Sequence, residues 1–507
     1  MSDPGRSSPS PTVEIPASGF RDEKKEVDDS NATADIVVDF DGPNDPLNPR
    51  NWNKKKKWTA TLVVSAFTFI SPISSSMIAP ASSQVADSFG VHNDVVIGMF
   101  TSIFVLAYAI GPLFLGPLSE IYGRNRIIQG ANVWYLAWNT GCAWAQNTGQ
   151  LLAFRFLAGL GGSAPLAVGG AVIGDIWEAE ERGQALAIYA LAPLLGPVVG
   201  PLAGAFVAED STWRWVFWSS SIADVAILAL GVLYLRETYP PYLLEKKTNQ
   251  IRKSLDAEKG PVRNVRSNLA NEDRTWSRVI RIALTRPFIL LYKEPIIQVL
   301  SLYMAYIYGL YYLFLTSMPL MFQGVYGESV GISGLHYLAL GVGVLVAAQI
   351  LGSLTDSVYN KLKAKNNGVT RPEYRVPLLI PGAIALPVGL FITGWTVQAK
   401  VHWIVPDIGI ALVGGSIILS FQAIQLIVVD MFAFYAASAL ACVSFLRSIF
   451  GFGFPLFAQQ MYRKLGYGKG DTILAVIAIV IGCPAPWLLW AYGPQLRARS
   501  KFAKQPT

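Results

Sequence analysis

Apolar residues in this 507-residue chain fall into continuous blocks, and these blocks constrain the fold more than any other feature of the sequence. Each is about 20 residues long, which matches a hydrocarbon core of roughly 30 Å at about 1.5 Å of helix rise per residue. In lipid every backbone N–H and C=O needs a partner inside the protein, so only helices or closed barrels can span it. Because the blocks do not alternate with polar residues, the sequence predicts an all-α membrane protein.

Twelve blocks are long enough to cross a bilayer, and they divide evenly around one long polar segment. The predicted spans are 58–80, 95–115, 127–146, 150–174, 184–207, 213–235, 295–321, 332–354, 376–396, 402–429, 435–460 and 470–492. Charged residues make up only 15% of the chain, against roughly 25% in soluble domains. The even split suggests duplicated halves, an architecture common among secondary transporters.

The same blocks predict the domain organisation. We expect a six-helix bundle at 58–235 and a pseudo-symmetric second bundle at 295–492, joined by a central cytosolic loop at 236–294. Residues 1–57 contain many Ser, Pro and charged side chains, which is typical of a disordered cytosolic tail. Residues 493–507 are predicted to be a short C-terminal tail, also cytosolic.

Lysine and arginine predict the orientation of the chain. Of the 41 such residues, 34 lie in segments that are cytosolic if the N-terminus is inside, and 4 lie in the opposite loops. Segments rich in these residues stay on the cytosolic side of a membrane. We therefore predict a multi-pass protein of the plasma membrane with both termini in the cytosol, and the vacuolar membrane stays an alternative.

The predicted loop between the second and third spans is a short charged turn. It reads Gly116-Pro-Leu-Ser-Glu-Ile-Tyr-Gly-Arg-Asn-Arg126, with an acid followed by two bases. The loop resembles the signature of the major facilitator superfamily, and its opening residues resemble those of fungal drug:proton antiporters with twelve spans, which are multidrug and secondary-metabolite efflux pumps. Many members carry a second base at the position of Ile121.

That resemblance implies a conformational latch and the major facilitator fold. Glu120 would cap the N-terminus of a helix in the opposite half, and Arg124 would pair with Asp175 at the inner end of span four. A carboxylate at the positive end of a helix is favourable by roughly 0.3–1 kcal/mol, which biases one access state without freezing it. A solvated charged turn is the structural alternative.

Span five contains a regular series of glycines and prolines. Glycines four residues apart, at Gly196, Gly200 and Gly204, open one helix face to close packing. The core formed by Gly196, Pro197 and Gly200 resembles the antiporter motif that the family associates with exporters. Helix packing alone would explain the same residues. Further stretches resemble the same fungal group, so the resemblance covers roughly residues 45–495.

Ionisable residues inside predicted spans are costly and functional by default, and two of them are candidates for proton coupling. Arg155 lies in span four, and the resemblance implies that it assists proton transfer. Asp224 lies near the middle of span six and is a candidate proton carrier, with Arg155 as a candidate partner. The alternatives are an arginine that only hydrogen-bonds the carbonyls of neighbouring helices, and a locally hydrogen-bonded structural acid.

Polar and aromatic residues in otherwise apolar spans predict the substrate cavity. Tyr311 and Tyr312 follow Tyr308 by three and four positions, so the three lie near one face of span seven. Such a stripe suits a planar or amphipathic ligand, although aromatic packing explains it as well. The predicted cavity residues are Asn132, Asn139, Tyr308, Tyr311, Tyr312, Gln422, Gln425 and Arg447.

The leading hypothesis is proton-coupled export of a small lipophilic or amphipathic compound by alternating access. The alternative is a specific transporter of a small organic acid or polyamine, in which Arg155 and Arg447 bind the substrate. The sequence has neither a catalytic or metal-ligand cluster nor a Gly-x-x-x-x-Gly-Lys-Ser/Thr phosphate loop, so an enzyme or ATP-driven pump is not expected. We expect no cofactor, nucleotide or nucleic acid; the expected partners of a monomer are its substrate, protons and the bilayer.

Overall fold

A computed structural model describes residues 36–178, 181–257, 265–269 and 276–503. Helices make up most of this part of the chain. Those of the first half are α1 (Lys54–Ser76), α2 (Ser82–Phe89), α3 (Asp94–Tyr122), α4 (Arg124–Ala143), α5 (Thr148–Ile176), α6 (Arg182–Asp210) and α7 (Arg214–Tyr234). Those that follow are α8 (Pro240–Ala257), α9 (Trp276–Lys293), α10 (Pro295–Phe322), α11 (Val330–Leu335), α12 (Tyr337–Lys365), α13 (Leu379–Gln398), α14 (Ile404–Met431), α15 (Ala436–Gly482) and α16 (Pro484–Arg499).

Local sequence signals explain where several of these helices begin and end. Asn53, Asn93 and Asn147 each precede a helix, and the side chain of each accepts a backbone N–H from its first turn. Such caps satisfy donors that have no partner within the helix. Gly466 has φ 76° and ψ 167°, so α15 turns there into two helices, 436–465 and 467–482.

Ten stretches within the described part of the chain are long and apolar enough to be candidate membrane spans. One of them, Ala433–Arg499, contains the two helices that turn at Gly466 and therefore crosses twice. Helix α4 is too polar to be among the ten, yet it packs lengthwise between α5 and α7. When the second helix of Ala433–Arg499 and helix α4 are counted as well, each of the twelve predicted spans is helical.

The two halves repeat one packing pattern. In the first half α3 and α4 pack on α5, and α1 packs on α6. In the second half the corresponding helices α12 and α13 pack on α14, and α10 packs on α15. Equivalent neighbours in the same order confirm two pseudo-symmetric six-helix bundles, as predicted.

The halves touch along α3 and α15, and along α6 and the helices α11 and α12. Many of these contacts lie where α3 begins, which we call the Asp94 end; the opposite end is called the Gly123 end. Asp94 forms an ion pair with Arg463 of the other half at 3.0 Å. A Cβ at Gly98 would lie 2.6 Å from the carbonyl oxygen of Pro455, so the backbones are in direct contact there.

The prediction of a disordered tail up to residue 57 is wrong for its last third. Strand β1 (Ile36–Val38) pairs in parallel with β2 (Val265–Ser267) of the central loop. In the turn that follows β1, the carboxylate of Asp45 accepts two backbone N–H groups. The central loop itself contains α8 and α9. The remainder of the predicted tail, residues 1–35, lies outside the described residues.

Candidate functional site

The glycines of α6 that resemble the antiporter motif lie against α1. A Cβ at Gly200 would lie 2.5 Å from a carbonyl oxygen of α1, and one at Gly204 would overlap the carbonyl oxygen that follows that helix. Gly196 faces the same helix one turn earlier, and Pro197 is buried beside it. The three glycines therefore form the contact face between the two helices, because no side chain fits there.

Gly204→Ala is expected to lower the thermal unfolding temperature of the detergent-solubilised protein. The new methyl group would meet backbone rather than a movable side chain, and overpacking of this kind costs about 1–3 kcal/mol. Gly183→Ala on the same helix is the matched control, because no atom of the described residues lies within 4 Å of its Cβ position. Equal melting curves for the two variants, measured by tryptophan fluorescence, would show that the close approach is unimportant.

The turn at Gly123 gathers the residues of the predicted latch. The Nε of Arg124 lies 3.4 Å from Oδ2 of Asp175, and its Nη1 donates to the hydroxyl of Ser119 at 2.7 Å. Arg124 is only 8% exposed, so water screens this pair weakly. The structure thus brings Arg124 and Asp175 together. Glu120 is half-buried in the last turn of α3, and its role as a cap in the opposite half stays a prediction.

An acid that the sequence analysis missed caps helix α4. Glu237 follows α7, and its carboxylate accepts the backbone N–H of Arg124 at 2.9 Å and that of Asn125 at 3.2 Å. Gly123 has φ 92°, and a Cβ there would overlap this carboxylate. Arg124 and Glu237 are 113 positions apart in the sequence, so no local pattern reveals the contact. Glu237 therefore ties the end of the first bundle to the latch turn.

Glu237→Ala is expected to destabilise the protein by about 0.5–2 kcal/mol, because the N-terminus of α4 loses its cap. The loss should appear as a lower melting temperature in detergent. The control is Glu245→Ala, which removes an exposed carboxylate from the next helix. If both variants melt like the unmodified protein, the cap does not stabilise the fold.

Arg155 is fully buried and binds backbone carbonyls of two neighbouring helices. Its Nη2 donates to the carbonyl oxygen of Ser75 at 2.9 Å and of Thr101 at 3.4 Å, and its Nη1 donates to that of Ser74 at 3.3 Å. The guanidinium also lies 5.2 Å from the ring centroid of Phe104. These contacts match the structural alternative weighed above, and they place a positive charge where α1, α3 and α5 meet.

Asp224 is fully buried between α7 and α4. Both carboxylate oxygens accept from the Nδ2 of Asn132, at 3.1 Å. The predicted pairing of Asp224 with Arg155 is wrong in this conformation, because the guanidinium donates to the carbonyls of α1 and α3 instead. Asp224 is thus a buried acid with a neutral hydrogen-bond donor, not half of an ion pair.

Asn132 and Asn139 do not line a central cavity, contrary to the prediction. The Nδ2 of Asn139 donates to the hydroxyls of Ser220 and Ser221 on α7, at 3.0 and 2.9 Å. Asn132 faces the same helix through Asp224. Hydropathy gave the depth of these residues in the bilayer but not the direction in which this face of α4 points. The polar side of α4 is an interface with α7.

The predicted tyrosines of α10 lie at the centre of the molecule, close to both halves. The ring centroids of Tyr308, Tyr311 and Tyr312 lie 5.2 to 6.4 Å from one another. The hydroxyl of Tyr312 lies 3.0 Å from that of Ser75 in the first half. The guanidinium of Arg447 lies 4.9 Å from the ring centroid of Tyr308. The structure therefore brings four of the predicted cavity residues together, and we call them the tyrosine–arginine cluster.

The remaining predicted cavity residues lie on α14, close to this cluster. Phe421 contacts the guanidinium of Arg447, at 5.2 Å from its ring centroid. Gln422 and Gln425, on the same stretch of helix, are half-exposed.

Asp471 is a second buried acid, and the sequence analysis missed it. Its Oδ1 accepts the hydroxyl of Tyr462 at 2.6 Å, while its Oδ2 has no hydrogen-bond partner among the described residues. The residue follows the turn at Gly466 by five positions, and an acid at the edge of a predicted span is ordinary. Burial comes from the close approach of Gly394, which only the folded bundle reveals.

Two six-helix bundles that meet around Arg155 and the tyrosine–arginine cluster define a polytopic membrane transporter, not an enzyme. Residues 64–455 match the family model described as Major Facilitator Superfamily. The chain belongs to the major facilitator superfamily. This confirms the family resemblance that the loop after α3 indicated.

Fungal efflux pumps are similar to this chain over nearly its full length. Efflux pump vrtL of Penicillium aethiopicum is 48% identical over 476 residues, which cover 94% of this chain and 93% of that protein. Efflux pump radE of Floropilus chiversii is 42% identical over 487 residues, which cover 96% and 88%. The xylose transporter XylE from Escherichia coli superposes with a TM-score of 0.62 at 16% identity, covering 87% of this chain and 98% of that one. That last similarity confirms the fold alone.

Proposed function

We propose that the protein exports a small lipophilic or amphipathic compound, such as a drug, toxin or secondary metabolite, by proton-coupled alternating access. The tyrosine–arginine cluster is the observation that supports this most. It combines three aromatic rings and a cation at the centre of the molecule, where a transporter of this architecture holds its substrate. The similarity to fungal efflux pumps supports export over import.

Alternating access would use the contacts at the two ends of the bundles. The halves touch at the Asp94 end, so opening that end requires the ion pair between Asp94 and Arg463 to separate. The pair of Arg124 and Asp175 and the half-buried Glu120 lie at the Gly123 end, where a latch would bias the opposite state. The excess of Lys and Arg in the loops of the Gly123 end supports a cytosolic location for that end and for both termini.

Asp224 is the proposed proton carrier. It is a fully buried carboxylate with a neutral amide as partner, so protonation removes a costly charge without breaking an ion pair. Arg155 would hold the junction of α1, α3 and α5 while the substrate enters beside it. Plasma-membrane location and a monomeric state complete this proposal.

A specific transporter of a small organic acid is the second candidate. It is favoured over a polyamine transporter because the tyrosine–arginine cluster contains a cation and not an acid. A polyamine would need buried carboxylates near the rings, and Asp224 and Asp471 are instead engaged by Asn132 and Tyr462.

Transport by the purified full-length protein in liposomes tests the proposal. A panel of aromatic and lipophilic compounds is offered with and without an imposed pH gradient. We expect uphill movement of at least one compound, with loss of that movement when a protonophore collapses the gradient. Movement that ignores the gradient would overturn proton coupling, and a specific response to small acids alone would favour the second candidate.

A further inference from the structure

We propose that the transported compound carries an acidic group, a carboxylate or phenolate, on an aromatic ring system. Arg447 binds the acidic group and Tyr308 contacts the ring. This inference rests on the proposed function and names the substrate class of the same site.

The first argument is that Arg447 has no anionic partner. Its Nε is buried without a hydrogen-bond partner among the described residues, and its guanidinium forms no ion pair with their acids. The two ring contacts attract the charge but leave its N–H donors free, since a ring face accepts them only weakly. A planar guanidinium with free donors is suited to a carboxylate, which it can bind through two parallel hydrogen bonds.

The second argument comes from Arg155, which is fully buried. The two terminal nitrogens of Arg155 donate to the carbonyls of Ser74, Ser75 and Thr101, and its Nε alone has no partner among the described residues. Its role in the fold is therefore satisfied without a ligand. Arg447 lacks such carbonyl partners among the described residues. The contrast identifies Arg447, and not Arg155, as the cation that a ligand completes.

The third argument concerns acids that could compete for Arg447. Asp430, on the neighbouring helix α14, pairs with Arg375 at 3.1 Å. Asp224 and Asp471 accept from Asn132 and from a tyrosine hydroxyl. Because these described carboxylates are engaged elsewhere, the compensating negative charge is supplied by the ligand.

Nearby aromatic groups define the rest of the compound. Tyr308 and Phe421 present ring faces beside the guanidinium, and a ligand ring can pack against them. The hydroxyl of Tyr311 is buried without a hydrogen-bond partner among the described residues. It is placed to bind a second polar oxygen on the same ring system. An aromatic acid that carries a further hydroxyl or carbonyl fits this set.

Binding of two matched fluorescent probes to the full-length protein in detergent tests the inference. The probes are 9-anthracenecarboxylate and its uncharged amide, which have the same rings. We expect the acid to bind about tenfold or more tightly than the amide, as a charge-assisted pair should provide. Arg447→Gln should remove this preference by weakening the acid alone, Arg447→Lys should keep part of it, and Tyr308→Leu should weaken both probes.

Arg499→Gln is the control, since it neutralises an exposed arginine in the last helix. Equal affinities of the unmodified protein for acid and amide overturn the inference, whether or not Arg447→Gln folds. An equal loss of both probes in a folded Arg447→Gln also overturns it. If the acid preference depends on Arg447 but neither probe moves in liposomes with a pH gradient, the export proposal fails and the binding assignment stands. If compounds move with the pH gradient but the protein shows no preference for the acid probe, the export proposal stands and the binding assignment fails.

Discussion

Asp224→Asn is expected to abolish gradient-driven transport while leaving the protein folded. The asparagine side chain has the shape of the protonated acid, and its carbonyl oxygen can still accept from Asn132. It cannot release a proton, so the cycle would stop at the step in which the carboxylate ionises. The measurement is uptake into liposomes with and without a pH gradient, compared with the melting temperature of the same preparation.

Asp224→Asn should still exchange substrate across the liposome membrane when no pH gradient is imposed, because exchange needs the cavity but no net proton transfer. Asp87→Asn is the control, since it makes the same chemical change at an exposed position in α2. Full gradient-driven transport by Asp224→Asn would refute its assignment as the proton carrier and leave Asp224 as a structural acid of the interface between α4 and α7.

Arg155→Met is expected to eliminate transport and to lower the melting temperature. Three buried carbonyl oxygens, those of Ser74, Ser75 and Thr101, would lose their donor. A hydrogen bond from a charged group contributes about 1.5–3 kcal/mol, so the joint effect is large. Melting in detergent and transport in liposomes are measured on the same samples.

Arg155→Lys separates structure from transport. A lysine keeps the positive charge but cannot reach the carbonyls as a planar fork does. If it restores the melting temperature without transport, Arg155 takes part in the transport cycle beyond its hydrogen bonds. Arg214→Met is the matched control, because Arg214 also donates to a backbone carbonyl, that of Ala145 at 3.1 Å, but at the end of the bundle. Normal transport by Arg155→Met would exclude a role for this residue in transport.

Hydropathy predicts most of this fold because the bilayer imposes one length on every span. The ends of the helices required local signals, such as the asparagine that precedes α3 and the glycine at which α15 turns. Helix α4 is the span that hydropathy identifies least clearly. Its polar residues lower its mean hydropathy. They indicate that this helix has a polar neighbour, but they do not identify that neighbour. Asn132 and Asn139 were therefore assigned to the cavity when they belong to the interface with α7.

The candidate site was predictable only where a motif supplied long-range information. The contact between Arg124 and Asp175 followed from the family resemblance, since 51 residues separate the two. Glu237 has no comparable pattern, and its role depends on where α7 ends relative to α4. The pairing of Asp224 with Arg155 was inferred from opposite charge alone. It fails because the carbonyls of α1 and α3 lie within reach of the arginine.

The short parallel pairing of β1 with β2 joins the start of the described chain to the connection between the bundles. Lys247 of α8 strengthens this junction by donating to the carbonyl oxygen of Asp39 and to the carboxylate of Asp41. A chain shortened to begin after β1 would keep both bundles but leave β2 with an open edge. Fusion tags and truncations should therefore be placed ahead of Ile36, because the residues that follow it connect the start of the described chain to the segment between the two bundles.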